Sequence, residues 1–174
     1  MNGALVWFTG LPSSGKSCLA RHVRARLDQD GKAACILDGD RIRNLLQPAP
    51  GYSDADRDAF YQTLGGLAVE LAEQGLVVLV PATANRRHYR DQVRARFARF
   101  IEVWMTAPVD ECRSRDAKGL YAHFADGEVH GLPGEDVLYE APEFAEVTAS
   151  GGNDDNALTR IVRALNRPVT VKPA

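Results

Sequence analysis

The sequence has none of the features that mark secreted, membrane-spanning or nucleic-acid-binding proteins. No stretch approaches the roughly 18 consecutive apolar residues of a membrane span, and the N-terminus has no basic segment followed by a long apolar one. The 23 acidic and 21 basic residues nearly balance, so the formal charge is −2 and no basic surface for nucleic acid or anionic lipid is indicated. We therefore expect no nucleic-acid partner and no membrane partner.

Cysteine is also scarce. The chain has three, Cys18, Cys35 and Cys112, and no two of them form a C-x-x-C pair. An odd number without paired spacing argues against a disulfide framework. The pattern predicts reduced, mostly structural thiols in a cytoplasmic protein.

What the chain does contain is ordinary globular composition, with 45% hydrophobic and 25% charged residues over 174 positions. A chain of this length is most simply one domain with a substantial core. We assign residues 1–168 to a single domain and expect residues 169–174 to form a flexible C-terminal tail.

Short apolar runs alternate with segments of helical periodicity. The runs predict strands at residues 4–9, 33–37, 76–80, 100–106 and, more weakly, 145–148. The periodic segments predict helices at about residues 15–29, 41–47, 53–74, 87–97, 109–115 and 157–166, with a polar, glycine-containing stretch after the fifth. This alternation is typical of an α/β fold in three layers, a mostly parallel sheet with helices on both faces.

The first predicted strand runs into the octet GLPSSGKS, which fits the P-loop pattern G-x-x-x-x-G-K-[ST]. Its position between a strand and a helix favours a P-loop over a simple glycine and serine turn. We expect Lys16 to reach the β- and γ-phosphates of a nucleotide and Ser17 to bind Mg²⁺. The predicted ATP-binding segment comprises Gly10, Leu11, Pro12, Ser13, Ser14, Gly15, Lys16, Ser17 and the adjoining Cys18.

Asp38 and Asp40 follow the second predicted strand, at the sheet edge where ligands bind in open α/β sheets. One of these carboxylates could accept a proton from an attacking hydroxyl or help to hold Mg²⁺. The alternative is that the pair forms a turn and caps the next helix. The base-reading motif N-K-x-D of switch GTPases is absent, and motor ATPases are usually larger, so a small kinase is favoured.

Five segments, in order and spacing, resemble the adenylylsulfate (APS) kinase family: VWFTGLPSSGKS, LDGDRIR, GYSDADR, RDAKGLY and YEAP. The resemblance runs from Val6 to Pro142. It implies a P-loop kinase fold and a transferase that moves the ATP γ-phosphate to the ribose 3′-hydroxyl of adenosine 5′-phosphosulfate, giving PAPS in sulfate assimilation. It also implies ATP and magnesium as cofactors and a small-molecule nucleotide as acceptor. Since the family is often dimeric, a homodimer is one expected assembly.

The resemblance implies roles for particular residues. Asp40, the second carboxylate of DGD, is the catalytic one and acts with Lys16. Arg115 and Lys118 belong to a mobile lid over the nucleotides, Arg115 on the ATP side and Lys118 on the acceptor side.

Three further residues are implied to contact the acceptor. Arg43 and Arg57 would bind its anionic groups, for which bidentate guanidinium groups are suited. The aromatic ring of Tyr52 would stack on its base.

The chain departs from the family pattern on the acceptor side. Phe60 replaces an asparagine, Gln62 an arginine and Leu132 an aromatic, and Ala84 lies in a segment that is F-I-S-P in relatives. We retain Phe60 and Leu132 among the acceptor-binding residues. Two alternatives stay open: a kinase acting on another nucleotide, such as a cytidine diphosphate derivative, and a nucleotide-binding module without turnover. If the acceptor site is merely degraded, Phe60→Asn should raise the use of APS.

Overall fold

The protein is described by a computed structural model that covers residues 3–167. Its centre is a sheet of five strands in the order β2-β3-β1-β4-β5, and every pairing between neighbours is parallel. The strands are β1 (Ala4–Thr9), β2 (Ala34–Ile36), β3 (Val77–Pro81), β4 (Phe100–Met105) and β5 (Val147–Ala149).

Helices cover both faces of this sheet. They are α1 (Lys16–Gln29), α2 (Gly39–Leu45), α3 (Asp54–Glu73), α4 (Arg87–Arg96), α5 (Val109–Arg115), α6 (Leu120–Ala125) and α7 (Asp155–Asn166). Helices α1 and α7 pack into the core on one face, and α3 and α4 into the core on the other. The predicted three-layer α/β fold is confirmed, and the described sheet is wholly parallel.

Local sequence explains why the main elements form. All six residues of β1 are buried, as expected of a central strand covered on both faces. Helix α3 begins with a capping box, in which the Ser53 hydroxyl accepts from the Asp56 N–H at 3.2 Å and the Asp56 carboxylate accepts from the Ser53 N–H at 3.3 Å. Gly65 lies within α3 because a Cβ there would come to 2.6 Å from a methyl group of Val93 on α4.

The structure differs from the sequence prediction in one helix and in the bounds of several elements, including α2 and β5. Helix α6 lies in the stretch that we predicted to be irregular, where Asp116 accepts hydrogen bonds from the N–H groups of Tyr121 and Ala122 at 3.1 and 3.0 Å. Helix α2 begins at Gly39 rather than at residue 41, and β5 lies at 147–149 rather than 145–148. The predicted tail at 169–174 lies outside the described residues.

Among the described helices, none combines the length and apolar composition that a membrane crossing requires.

Candidate active site

A cavity of about 470 Å³ opens beyond the carboxyl ends of β1, β2 and β3. It joins the P-loop at one end to α2, α3 and the segment 129–133 at the other. Most residues that the sequence analysis selected line it: Pro12, Ser13, Gly15, Lys16, Ser17, Cys18, Asp40, Arg43, Tyr52, Arg57, Phe60, Lys118 and Leu132. Gly10, Leu11, Ser14 and Arg115 are not part of its lining.

The P-loop needs its glycines for close backbone contacts. Gly15 has φ of 98°, a conformation that residues with a side chain rarely adopt, and a Cβ there would lie 2.4 Å from the amide nitrogen of Gly152. A Cβ at Gly152 would in turn lie 2.6 Å from the Cβ of Cys18. The 151–152 loop, which the sequence analysis did not assign to the site, therefore packs against the P-loop.

Two adjacent serines of the P-loop have different surroundings. The hydroxyls of Ser13 and Ser14 are both buried and have no hydrogen-bond partner among the described residues. Ser13 lines the cavity, with φ of 61°, whereas Ser14 does not line it. The Pro12 carbonyl accepts a hydrogen bond of 3.1 Å from the Tyr121 hydroxyl, so α6 supports the P-loop.

Lys16 is a partly buried residue at the floor of the loop. Its Nζ donates to the carbonyl oxygens of Gly10 and Leu11, at 2.9 and 2.6 Å. Burial lowers the pKa of Lys16 to about 8, Asp40 acts in the opposite direction, and Lys118 lowers it further. The ammonium group is thus held beside the loop in a position to pair with phosphate oxygens.

The two aspartates at the end of β2 have separate roles in the structure. Asp38 is the N-cap of α2, and its carboxylate accepts from the N–H groups of Asp40 and Arg41 and from the Ser17 hydroxyl at 2.6 Å. Asp40 lies in the first turn of α2 and forms an ion pair with Lys118. The capping alternative therefore describes Asp38, and Asp40 is the carboxylate that lines the cavity.

Arg43 and Arg57 bring buried positive charge to the other end of the cavity. Their side chains are only 6% and 4% exposed, and neither forms an ion pair with a carboxylate within residues 3–167. Arg43 donates to the carbonyl oxygens of Pro50 and Gly51, at 3.2 and 2.6 Å. Because a buried charge without a counter-charge is costly, the pair favours an anionic ligand.

Arg57 connects three separate parts of the site. It donates to the carbonyl oxygens of Tyr52 at 3.0 Å and Gly131 at 2.5 Å, and to the side chain of Asn85 at 3.5 Å. Gly131 lies 74 positions away in the chain, and its N–H is held by Asp136 at 2.8 Å. No sequence motif suggested that segment 129–131 would border the cavity.

The positions that depart from the family pattern are divided between the cavity and other places. Phe60 and Leu132 are buried and line it. Gln62 is exposed and does not line it. Ala84 is buried beside it, where its N–H donates to the Tyr61 hydroxyl at 2.9 Å. Only two of the four substituted positions therefore lie in the cavity wall.

Arg115 lies apart from the other predicted residues. Its guanidinium group pairs with Glu111, one turn earlier on α5, and a Cβ at Gly151 would lie 3.5 Å from it. It is therefore beside the loop that packs on the P-loop, and its predicted contact with ATP stays a prediction.

Other lining residues were not selected from sequence. They come from α1, the start of α2, α3, the end of β3 and the loops on either side of α6, and comprise Arg21, Gly39, Tyr61, Pro81, Ala82, Thr83, Ala117, Leu120, Val129, His130, Gly131 and Pro133. Position after a parallel strand was the available signal for residues 81–83. The others carry no local signal because their place depends on the path of the chain.

Comparison with known proteins agrees with this architecture. The family model described as adenylylsulphate kinase matches residues 2–150. The chain is 40% identical to adenylyl-sulfate kinase of Escherichia coli over 165 residues, covering 94% of this chain and 81% of that one. It is also 40% identical to adenylyl-sulfate kinase of Picosynechococcus over 145 residues, covering 83% and 82%.

A solved structure of Mycobacterium tuberculosis APS kinase, in complex with AMPPNP and APS, has the same fold. It superposes with a TM-score of 0.89 at 35% identity and covers 95% of this chain and 99% of its own. The resemblance found in the sequence is thereby confirmed, and with it the kinase class of the protein. This chain belongs to the adenylylsulfate kinase family of P-loop kinases.

Proposed function

We propose that this protein transfers the γ-phosphate of ATP to the ribose 3′-hydroxyl of APS, giving PAPS and ADP. The observation that carries the proposal is the single cavity in which Asp40 lies with the P-loop Lys16 and the buried Arg43. The Mycobacterium tuberculosis relative, which has the same fold, was solved in complex with AMPPNP and APS, an ATP analogue and the proposed acceptor.

The P-loop end holds the donor. Backbone N–H groups of the loop and the start of α1 attract the phosphates, and Lys16 adds a charge in surroundings that exclude water. Because phosphoryl transfer asks little covalent chemistry of the protein, positioning and charge stabilisation carry the catalysis. Lys16 stabilises the charge that develops on the transferred group.

Asp40 acts on the acceptor. Its carboxylate accepts the proton of the 3′-hydroxyl as the oxygen forms its bond to the γ-phosphorus and the bond from that phosphorus to the β,γ-bridging oxygen breaks. ADP leaves with the electron pair of that broken bond. Lys118, which pairs with Asp40 in this structure, must exchange that contact for one with the substrates.

A magnesium ion would fit the residues where the start of α1 meets the end of β2. The Ser17 hydroxyl and the Asp38 carboxylate, 2.6 Å apart, are hard oxygen donors of the kind Mg²⁺ prefers. Within the described residues there is no cluster of three or more acidic, histidine or cysteine side chains for a metal, which agrees with an ion held mainly by phosphates. When bound, Mg²⁺ neutralises phosphate charge.

We extend the proposal to the residue roles assigned above and to one kinase domain at residues 1–168. The cytoplasmic location, the place in sulfate assimilation and the homodimer stay predictions. The three cysteines are free thiols in the structure, and their reduced state in the cell stays a prediction.

An acceptor panel tests the function. ADP formation from ATP is measured with purified protein and no acceptor, with APS, and with pyrimidine nucleotides that include cytidine diphosphate derivatives. We expect stimulation by APS, a 3′-phosphorylated product, and no stimulation in Lys16→Ala. If only a pyrimidine nucleotide stimulates ADP formation, that nucleotide and not APS is the acceptor. If no nucleotide stimulates it, the protein is a nucleotide-binding module without turnover.

A further inference from the structure

Phe60 lies against the guanidinium group of Arg43. The guanidinium carbon is 3.9 Å from the centre of the Phe60 ring and 4.6 Å from that of Tyr52. The two aromatic residues differ in burial, since Phe60 is 3% exposed and Tyr52 is 59% exposed. Phe60 is therefore the fixed surface against which Arg43 rests.

A chain of aromatic contacts fixes Phe60 in turn. Its ring meets Tyr61 edge-on, with centroids 5.2 Å apart, and Tyr61 stacks on Tyr89 of α4 at 4.5 Å. The Tyr61 hydroxyl accepts the N–H of Ala84 at 2.9 Å, and the Tyr89 hydroxyl donates to Asp58 at 2.7 Å. The ring face that supports Arg43 is thus anchored to α3, α4 and the loop after β3.

Arg43 keeps donors for a ligand in this position. Its Nη1 is used by the carbonyl oxygens of Pro50 and Gly51, while Nε and Nη2 donate to no protein acceptor within residues 3–167. All three nitrogens of Arg57 have protein partners. Of the two buried arginines that line the cavity, Arg43 is the one whose guanidinium group is both immobilised and available.

We propose that Phe60 is a positioning residue that holds Arg43 ready to bind the anionic 5′-substituent of the acceptor nucleotide. An aromatic face attracts a guanidinium cation, most strongly where water is excluded, and fixing a long side chain before binding lowers the entropic cost of binding. This inference rests on the proposed function. It also reverses the expectation for Phe60→Asn, since an amide offers no ring face to the guanidinium group.

The experiment compares variants that keep or remove the ring. Phe60→Leu and Phe60→Met keep the residue apolar, Phe60→Asn introduces the residue of relatives, and Phe60→Tyr keeps the aromatic face. We measure KM for APS, KM for ATP and kcat for each, with thermal unfolding as a check on folding. Removal of the ring should raise KM for APS about tenfold while KM for ATP changes less than about twofold, and Phe60→Tyr should restore the wild-type value.

A second arm asks whether the effect acts through Arg43. In an Arg43→Gln background, Phe60→Leu or Phe60→Met should raise KM for APS no further, because the group that the ring positions is gone. An equal rise in both backgrounds, an unchanged KM in the single variants, or better use of APS by Phe60→Asn would overturn the inference. The proposed function is tested separately, with the wild-type enzyme and the acceptor panel. If the acceptor is a nucleotide other than APS, KM for that nucleotide is measured in the same variants. If no nucleotide is an acceptor, both proposals fail.

Discussion

The donor and acceptor ends of the cavity are built in different ways. The donor end is formed mainly by one continuous octet, residues 10–17, of which Pro12, Ser13, Gly15, Lys16 and Ser17 line the cavity. In the proposed function its backbone N–H groups and its single lysine bind the phosphates. The acceptor end is built from side chains of α2, α3 and two loops, brought together over 74 positions by the hydrogen bond of Arg57 to Gly131. This difference explains why a local sequence motif identifies the donor end, whereas the acceptor end is formed only when distant segments pack together.

Substitution of Asp40, which lines the cavity, should have the largest effect on turnover. We expect Asp40→Asn to lower kcat by about 10²- to 10⁴-fold because it removes the proton acceptor. The side chain is 67% exposed, so thermal unfolding should change little. The measurement is acceptor-dependent ADP formation together with the melting temperature.

Asp38→Asn is the matched control for this prediction. It keeps a side-chain oxygen for the N-cap of α2 but removes the carboxylate oxygen that accepts from the Ser17 hydroxyl, so we expect a higher KM for ATP with little change in melting temperature. A greater loss of kcat in Asp38→Asn than in Asp40→Asn would exchange the roles of the two aspartates.

The pH dependence of kcat/KM for ATP should report on the charge of Lys16 at the donor end of the cavity. Since the pKa of Lys16 is lowered to about 8, its amine is charged below that pH and neutral above it. We expect kcat/KM for ATP to fall above about pH 8, approaching tenfold per pH unit, because kcat/KM reports the free enzyme. Arginine stays charged over this range, so a Lys16→Arg variant that retains turnover should lack the decline. A decline that persists in the variant would assign the titration to another group.

The variants of Ser13 should have the smallest effect, and they test how a P-loop with proline at position 12 binds phosphate. Pro12 lacks a backbone N–H, whereas Ser13 lines the cavity and has a buried hydroxyl with no hydrogen-bond partner within residues 3–167. We expect this hydroxyl to turn toward a bound phosphate and donate to one of its oxygens. We expect Ser13→Ala to raise KM for ATP about three- to tenfold and to leave KM for APS unchanged.

Ser14→Ala is the comparison, because the Ser14 hydroxyl is also buried without a partner but does not line the cavity. It should leave KM for ATP unchanged. Ser13→Gly should share the rise in KM and, since φ at this position is 61°, raise the melting temperature. Equal KM values in the two alanine variants would contradict a role for the Ser13 hydroxyl.

The strands with continuous apolar runs were predictable because local composition and burial agree. All six residues of β1 match the prediction, and the register of β3 and β4 against it follows from their buried runs. Helix α6 was missed because it is six residues long and follows Gly119, an N-cap in the left-handed region that offers no side chain. Its start is stabilised instead by the Asp116 carboxylate. The three-residue β5 was shifted because its boundary depends on pairing with β4.

By itself, the sequence determined the layered α/β fold and the P-loop, since both are marked by patterns of residues that lie close together in the chain. Only the tertiary structure showed that Asp38 contacts Ser17 whereas Asp40 pairs with Lys118. It also showed the hydrogen bond from Arg57 to Gly131 and the packing of Arg43 on the Phe60 ring. These distinctions depend on which side chains are buried together and which donors are already used. Such contacts between distant segments form only when the helices pack on the sheet, and no spacing along the chain encodes them.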